Sequence, residues 1–189
     1  MKSRMLNVLT SVGSLLVLFL AGEVVMRVYY YVKQHNIPGF VRAIEPDPHL
    51  GWRSIPNLDV TKRATDARGN SYPLRVRTNA LGFRRFGDTT RTDRLRLLVL
   101  GDSFTQAVEV SDDKTYFAHL SNALHADVFA YGCGGYGTVQ EYLVLDQYVD
   151  RIQPDAVLLQ YCSNDFINND YALELQSLGN NNAMRRPYP

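Results

Sequence analysis

The chain has few cysteines, histidines and tryptophans: two, four and one in 189 residues. No Cys/His spacing of the metal-ligating kind occurs, so no metal site is expected, and two cysteines cannot frame a disulfide-stapled mini-domain. Neither sign of charge is in excess. Twenty Lys and Arg face 19 Asp and Glu, so bulk charge selects neither nucleic acid nor an acidic partner. Internal repeats and low-complexity tracts are absent, which excludes solenoids and arrays. No histidine follows His125, which leaves the last third of the chain without the usual proton-transferring side chain.

Long apolar runs are scarce too, apart from one at the N-terminus. Residues 6–22 are apolar except for Asn7, Thr10, Ser11 and Ser14, and Lys2 and Arg4 precede them. Continued through Val24, Val25 and Met26, the run predicts a helix of about 30 Å, the thickness of a bilayer core. Glu23 and Arg27 fall one turn apart near the far interface, where they can pair. Tyr29, Tyr30 and Tyr31 suit an aromatic belt. Leu20-Ala21-Gly22-Glu23 makes a poor cleavage site, and Glu23 stands where a lipoprotein signal needs its cysteine. An uncleaved anchor over residues 1–33 is therefore expected rather than a signal peptide. Lys2 and Arg4 hold the N-terminus inside. The expectation is a single-pass protein of the cytoplasmic (inner) membrane, with the bulk of the chain on the periplasmic or extracellular side.

About 155 residues remain, enough for one domain with a real core. Residues 34–94 read as an irregular region, because Pro38-Gly39, Pro46-Asp47-Pro48 and Pro56-Asn57 exclude long helices. Short strands are expected at Leu50-Gly51-Trp52-Arg53 and Tyr72-Pro73-Leu74-Arg75-Val76-Arg77. A turn follows at Asn79-Ala80-Leu81-Gly82-Phe83-Arg84. Arg84, Arg85, Arg91, Arg94 and Arg96 form a basic cluster, read first as a solvated surface loop. The sharper reading is a face for an anionic polymer or lipid headgroup.

From residue 95 the pattern alternates strand and helix. Leu95-Arg96-Leu97-Leu98-Val99-Leu100 is a buried strand, and residues 113–124 carry Tyr116, Phe117, Leu120 and Leu124 at helical spacing. A second strand spans Asp127-Val128-Phe129-Ala130-Tyr131. Thr138 and Glu141 read as a capping box opening a helix whose apolar face includes Val139, Tyr142, Leu143 and Val149. The third strand is Ala156-Val157-Leu158-Leu159-Gln160-Tyr161. Such alternation implies a parallel sheet with right-handed crossovers. Its strands end in Gly101-Asp102-Ser103, in Gly132-Cys133-Gly134-Gly135-Tyr136-Gly137 and in Cys162-Ser163-Asn164-Asp165. Ligands of such sheets bind beyond these carboxyl ends.

That trio suits acyl transfer, which needs a nucleophile and donors aimed at the oxyanion of a tetrahedral intermediate. Ser103 supplies a hydroxyl and a backbone N–H, Gly135 a second N–H from a loop that can approach a substrate closely, and Asn164 a neutral side-chain donor. No cofactor is called for. Taken singly, each has a plainer reading as a turn or helix-start residue.

The same residues resemble the SGNH (GDSL-like) hydrolases, a family of serine esterases, lipases and carbohydrate acetylesterases. Gly101-Asp102-Ser103-Phe104-Thr105 is similar to that family's first block in its bacterial membrane-anchored branch. Gly135-Tyr136-Gly137-Thr138 is similar to the second block and Asn164-Asp165 to the third, though Cys162 and Ser163 replace a usual glycine. Leu50-Gly51-Trp52 and residues 79–84 look like that branch as well. The resemblance implies a flavodoxin-like three-layer α/β/α fold, of which residues 95–189 form the N-terminal portion. It also implies a Ser103 nucleophile, an oxyanion hole of Ser103, Gly135 and Asn164, and supporting roles for Gly101, Asp102 and Asp165. An acylated envelope glycan or lipid is the implied substrate class.

The family's fourth block, a C-terminal Asp-x-x-His that supplies the general base, has no counterpart. His35, His49, His119 and His125 all precede the third strand. His119 and His125 lie on or just after the helix following Ser103, which carries them away from it. A serine without a base is a poor nucleophile. With no fourth strand, one edge of the third is expected to be open, an aggregation hazard. These features suggest the N-terminal portion of a longer hydrolase. Esterase and O-acyltransferase chemistry would use the same residues, and a truncated, non-catalytic anchored glycan-binding domain is the alternative. Cys133 and Cys162, in loops on either side of the first strand, are expected to be free. A cysteine nucleophile is a minor possibility.

Overall fold

The computed structural model describes residues 2–36, 41–90, 93–177, 182 and 185–188, with the backbone alone for 2–9 and 31–36. Pro38-Gly39, Arg91, Asn180, Asn181 and Pro189 lie outside the described residues, as do the side chains of Lys2, Arg4, Asn7, Tyr31 and His35. The chain divides into two compact units, Met1–Phe40 and Val41–Pro189.

The described residues of the first unit form one helix, α1 (Lys2–Asn36). Its segment Thr10–Tyr30 has a mean hydropathy of 1.8 with no residue buried, so among the described residues one helix is long and apolar enough to cross a membrane. Glu23 and Arg27 pair at 2.7 Å, as their spacing of one turn predicts.

The second unit opens with two antiparallel hairpins. Strand β1 (Ile44–Asp47) pairs with β2 (Gly51–Ser54), and β3 (Asp59–Thr65) with β4 (Ser71–Arg77). Only β2 and β4 were legible among the prolines. Pro46 is tolerated in β1 because a two-stranded ribbon leaves one edge of each strand without a ladder partner. Asp47 closes the first turn by accepting from the His49 and Leu50 N–H groups. Ala64, Leu74 and Val76 are buried on one face of the second hairpin and pack with Val41 and Ala43.

A parallel three-stranded sheet follows, in the order β6-β5-β7. Its members are β5 (Arg96–Gly101), β6 (Asp127–Gly132) and β7 (Ala156–Gln160). Period-two alternation divides the core. Leu98, Leu100, Phe129 and Tyr131 pack on Val144 and Ile152 of α4 (Thr138–Ile152), whereas Leu97, Val99, Val128 and Ala130 pack on Phe117 of α3 (Tyr116–Leu124). The two crossovers run in opposite directions along the sheet, so they use opposite faces to keep a single hand. Between β5 and α3 lies one helical turn, α2 (Ser103–Gln106).

Three local expectations are corrected. The helix expected over residues 113–124 begins at Tyr116, because Thr115 is its N-cap and accepts from the Ala118 N–H. The expected Thr138/Glu141 capping box is shifted: Gly137 is the N-cap, and Gln140 reaches back to its N–H at 3.3 Å. The basic cluster is not uniformly solvated, since Arg84 and Arg96 are buried. Arg96 donates to the Ile152 and Thr89 carbonyls, and the first of these closes the C-terminal end of α4, where a cation is favoured.

Strand β7 is the exception to this burial. Val157 and Leu159 are each 44% exposed and Leu158 is 36% exposed. No strand pairs with its outer edge among the described residues. Two short helices, α5 (Ser163–Asn168) and α6 (Tyr171–Gln176), complete the described elements.

Candidate active site

Ser103 is exposed on the first residue of α2, directly past the carboxyl end of β5. Asp102, 1% exposed, caps that turn through a bond from the Phe104 N–H at 3.1 Å. The turn is tight because two glycines let it sit on the sheet. A Cβ on Gly101 would come 2.4 Å from Thr105 Oγ1, and one on Gly132 would come 2.4 Å from the Gln106 backbone nitrogen. The register aligns Gly101 with Gly132 on one side and with Gln160 on the other. The three strand ends therefore stand side by side, about 4.8 Å apart.

The loop after β6 passes beside the serine: a Cβ on Gly134 would lie 4.0 Å from that of Ser103. Most of its backbone groups are committed. The Cys133 N–H bonds the Gly101 carbonyl, Gly134 N–H the Gln106 side chain, Tyr136 N–H the Cys133 carbonyl and Gly137 N–H Gln140. Gly135, in the left-handed region at φ +78°, is the exception. Its N–H has no acceptor among the described residues. The Gly134 carbonyl, on the same peptide plane, accepts from the Trp52 indole at 2.9 Å. A trans peptide points its C=O and N–H in opposite directions, so Trp52 fixes where the Gly135 N–H aims.

Asn164 lies on the first turn of α5, after β7. Its side chain is half-buried and makes no hydrogen bond among the described residues. The Ser103 N–H is likewise without an acceptor. Asp165 is fully buried and receives the Cys162 N–H at 2.8 Å, which fixes the start of α5. The three expected donors thus occupy three adjacent strand ends, and each is uncommitted.

The Ser103 hydroxyl has a single described partner, Asp102 Oδ2 at 3.5 Å. None of the described histidines contacts it. His49 is exposed in the β1–β2 turn and His119 is exposed on α3. His125 sits two residues before β6, its carbonyl bonded to Arg94, at the opposite end of strands that run roughly 16 Å. Both cysteines are free. Burial pushes the Cys133 thiol up to about 12, so it is no nucleophile at neutral pH.

Several supporting residues carried no signal in the sequence. Gln106 accepts from the Gly134 N–H and donates to Ser54 Oγ, tying the serine turn to both the glycine loop and the first hairpin. Arg186 donates to the Gly135 carbonyl at 2.6 Å, ion-pairs with Glu174 at 2.7 Å and lies 5.0 Å from the Trp52 ring. Burial alone would raise the Glu174 carboxyl, but bonds from Arg186, Tyr188 and the Asn182 N–H outweigh it and hold the carboxyl below its ordinary value. Glu141, on the first turn of α4, is buried with neither carboxylate oxygen bonded. Burial, then Asp165, then Asp102 push its carboxyl up to about 8. A neutral Glu141 therefore sits among the carboxylates that anchor the other two loops.

No protein-family model matches this sequence, and no curated protein matches it.

Proposed function

We propose that the chain is a membrane-anchored serine ester hydrolase of the SGNH type. Its substrates are acyl or acetyl esters of a cell-envelope glycan or lipid, met outside the cytoplasm. In this reading the β6-β5-β7 sheet belongs to a flavodoxin-like three-layer fold. One observation carries the proposal: three uncommitted N–H donors at adjacent parallel strand ends, beside an exposed serine hydroxyl.

Ser103 Oγ would bond to the acyl carbon while the Ser103 N–H, the Gly135 N–H and the Asn164 amide hold the oxyanion. The alcohol then leaves and the acyl-serine passes its group to water or to a sugar hydroxyl. Asp102 is a weak partner for the hydroxyl at 3.5 Å, so in this reading the proton goes to a base other than the described histidines.

A fluorophosphonate tests the reading on the full chain in detergent, with Ser103→Ala as control. Labelling that vanishes in the variant supports it. A folded chain that stays unlabelled overturns hydrolase activity for this chain. The lack of a described histidine beside Ser103 favours a second reading, an anchored glycan-binding unit using the same cleft. Under that reading Ser103→Ala keeps its affinity for an acetylated glycan and no turnover is seen.

A further inference from the structure

A cleft of 560 Å³ opens beside the outer edge of β6. Ser103, Gly135 and Asn164 do not line it. Four arginines do, Arg77, Arg84, Arg85 and Arg94, against two aspartates, Asp112 and Asp127. The lining thus carries two positive charges in excess.

The charges are not all spent on one another. Arg94 is fully engaged, with the His125 and Ala126 carbonyls and Asp127. Arg84 is buried and bonds the Ala107 and Val110 carbonyls and Asp112, yet its Nε–H has no acceptor among the described residues. Arg77 uses its Nε–H on Asp112 at 2.6 Å, and its two terminal nitrogens have no partner among the described residues. Arg85 bonds only the Ser121 hydroxyl and meets no carboxylate among the described residues. Arg77 and Arg85 therefore hold unused donors around one cleft, and the buried Arg84 adds its charge to the lining. Burial presses the Arg84 guanidinium below its usual value and Asp112 offsets only part of this, so an added anion there would be stabilising.

The backbone explains why these side chains converge. Arg84 N–H bonds the Ala130 carbonyl and Ala130 N–H bonds the Arg85 carbonyl, which lays residues 84–86 along β6. Phe86 packs edge-on against Phe83 and Phe129, making that segment a rigid wall. Arginine forks bind phosphate and carboxylate oxygens bidentately, and the two excess positive charges of the lining match a dianionic phosphoryl group.

We infer that this cleft binds the dianionic phosphoryl group of a phosphate monoester, gripped by Arg77 and Arg85 with the buried charge of Arg84 beside them. The site is separate from the strand-end site and does not rest on the hydrolase reading. Its phosphate comes either from a soluble molecule or from a lipid headgroup.

The full chain in phosphatidylcholine nanodiscs, titrated with inorganic phosphate while its melting temperature is followed, tests this. The expected result is a saturating upward shift, with apparent affinity about tenfold weaker in Arg85→Gln and in Arg77→Gln. Arg77 is exposed and Arg85 half-buried, and the unliganded variants should melt within a few degrees of the parent. Nanodiscs containing phosphatidic acid that raise the midpoint without added phosphate, in an Arg85-dependent way, assign the source to lipid. No shift with either source, or a shift that both substitutions leave unchanged, overturns the inference.

Discussion

The Trp52 indole donates to the Gly134 carbonyl at 2.9 Å across 82 positions of sequence. This one bond aims the neighbouring Gly135 N–H. Trp52 is itself held, because Tyr136 donates to its carbonyl at 2.8 Å. Trp52→Phe keeps an aromatic ring in place, removes the donor and empties part of the buried indole volume. It should cost about 1–2 kcal/mol of stability, since the Gly134 carbonyl is left unpaired. If Gly135 serves as an oxyanion donor, fluorophosphonate labelling of Ser103 should slow by about tenfold or more. Stability measured by urea unfolding alongside the labelling rate separates the two effects.

Arg186 and Glu174 form a pair in which both side chains are almost fully buried. Removing one partner leaves the other charge stranded, so Arg186→Met should destabilise by about 3–5 kcal/mol. The double variant Arg186→Met with Glu174→Leu should recover much of that loss. Amide exchange at Tyr136, whose N–H bonds the Cys133 carbonyl, should quicken in the single variant, because Arg186 also holds the Gly135 carbonyl of the same loop.

Glu141 gives the fold a pH dependence of known sign. Its carboxyl is raised from an ordinary 4.5 to about 8 on folding. Between those values the folded chain holds a proton that the unfolded chain has released. The contribution is complete below the lower value and is lost as pH rises to the upper one, at about 1.4 kcal/mol per pH unit. From pH 5 to 7 the wild type should lose roughly 3 kcal/mol through this group. Glu141→Gln should remove that slope and be the more stable protein at pH 7. Urea midpoints at several pH values read both.

Gly132→Ala should be among the most damaging small substitutions in the chain. Its Cβ would meet the Gln106 nitrogen at 2.4 Å and the Thr105 carbonyl carbon at 2.6 Å, both backbone atoms with little room to yield. A loss of about 3 kcal/mol or more is expected in thermal unfolding. Gly134→Ala meets the Gln106 side chain at 3.1 Å and the Ser103 Cβ at an ordinary 4.0 Å, and should cost much less.

The edge of β7 that no described strand pairs should make the chain self-associate. Val157 and Leu159 share a face and pack on little, so Val157→Lys with Leu159→Lys should leave the melting temperature nearly unchanged. Concentration-dependent light scattering should fall severalfold in that variant. Scattering as strong as the parent's would show that another surface drives association.

The alternating elements after residue 95 were readable because their signals are local. Leu97 to Leu100, Val128 to Tyr131 and Ala156 to Leu159 are short apolar runs separated by helical spacing, and a parallel sheet is the arrangement that buries them. The positions of Ser103, Gly135 and Asn164 at strand ends follow from the same periodicity. The N-terminal helix needed only a continuous apolar run. The first hairpin was half hidden, since Pro46 and Pro48 argue against a strand unless its edge is unpaired.

Periodicity alone determined the strand order's plausibility, the apolar helix and the three loops where a site could form. Tertiary structure alone decided which groups in those loops are free. The Gly135 N–H is available because Trp52, Gln106, Gln140 and Arg186, all distant in sequence or unmarked by motif, hold the rest of the loop. Arg84 is buried and Arg85 is not because residues 84–86 lie along β6. A hydrogen bond between residues far apart in the chain leaves no periodic trace in the sequence, and it is such bonds that orient the donors of a site.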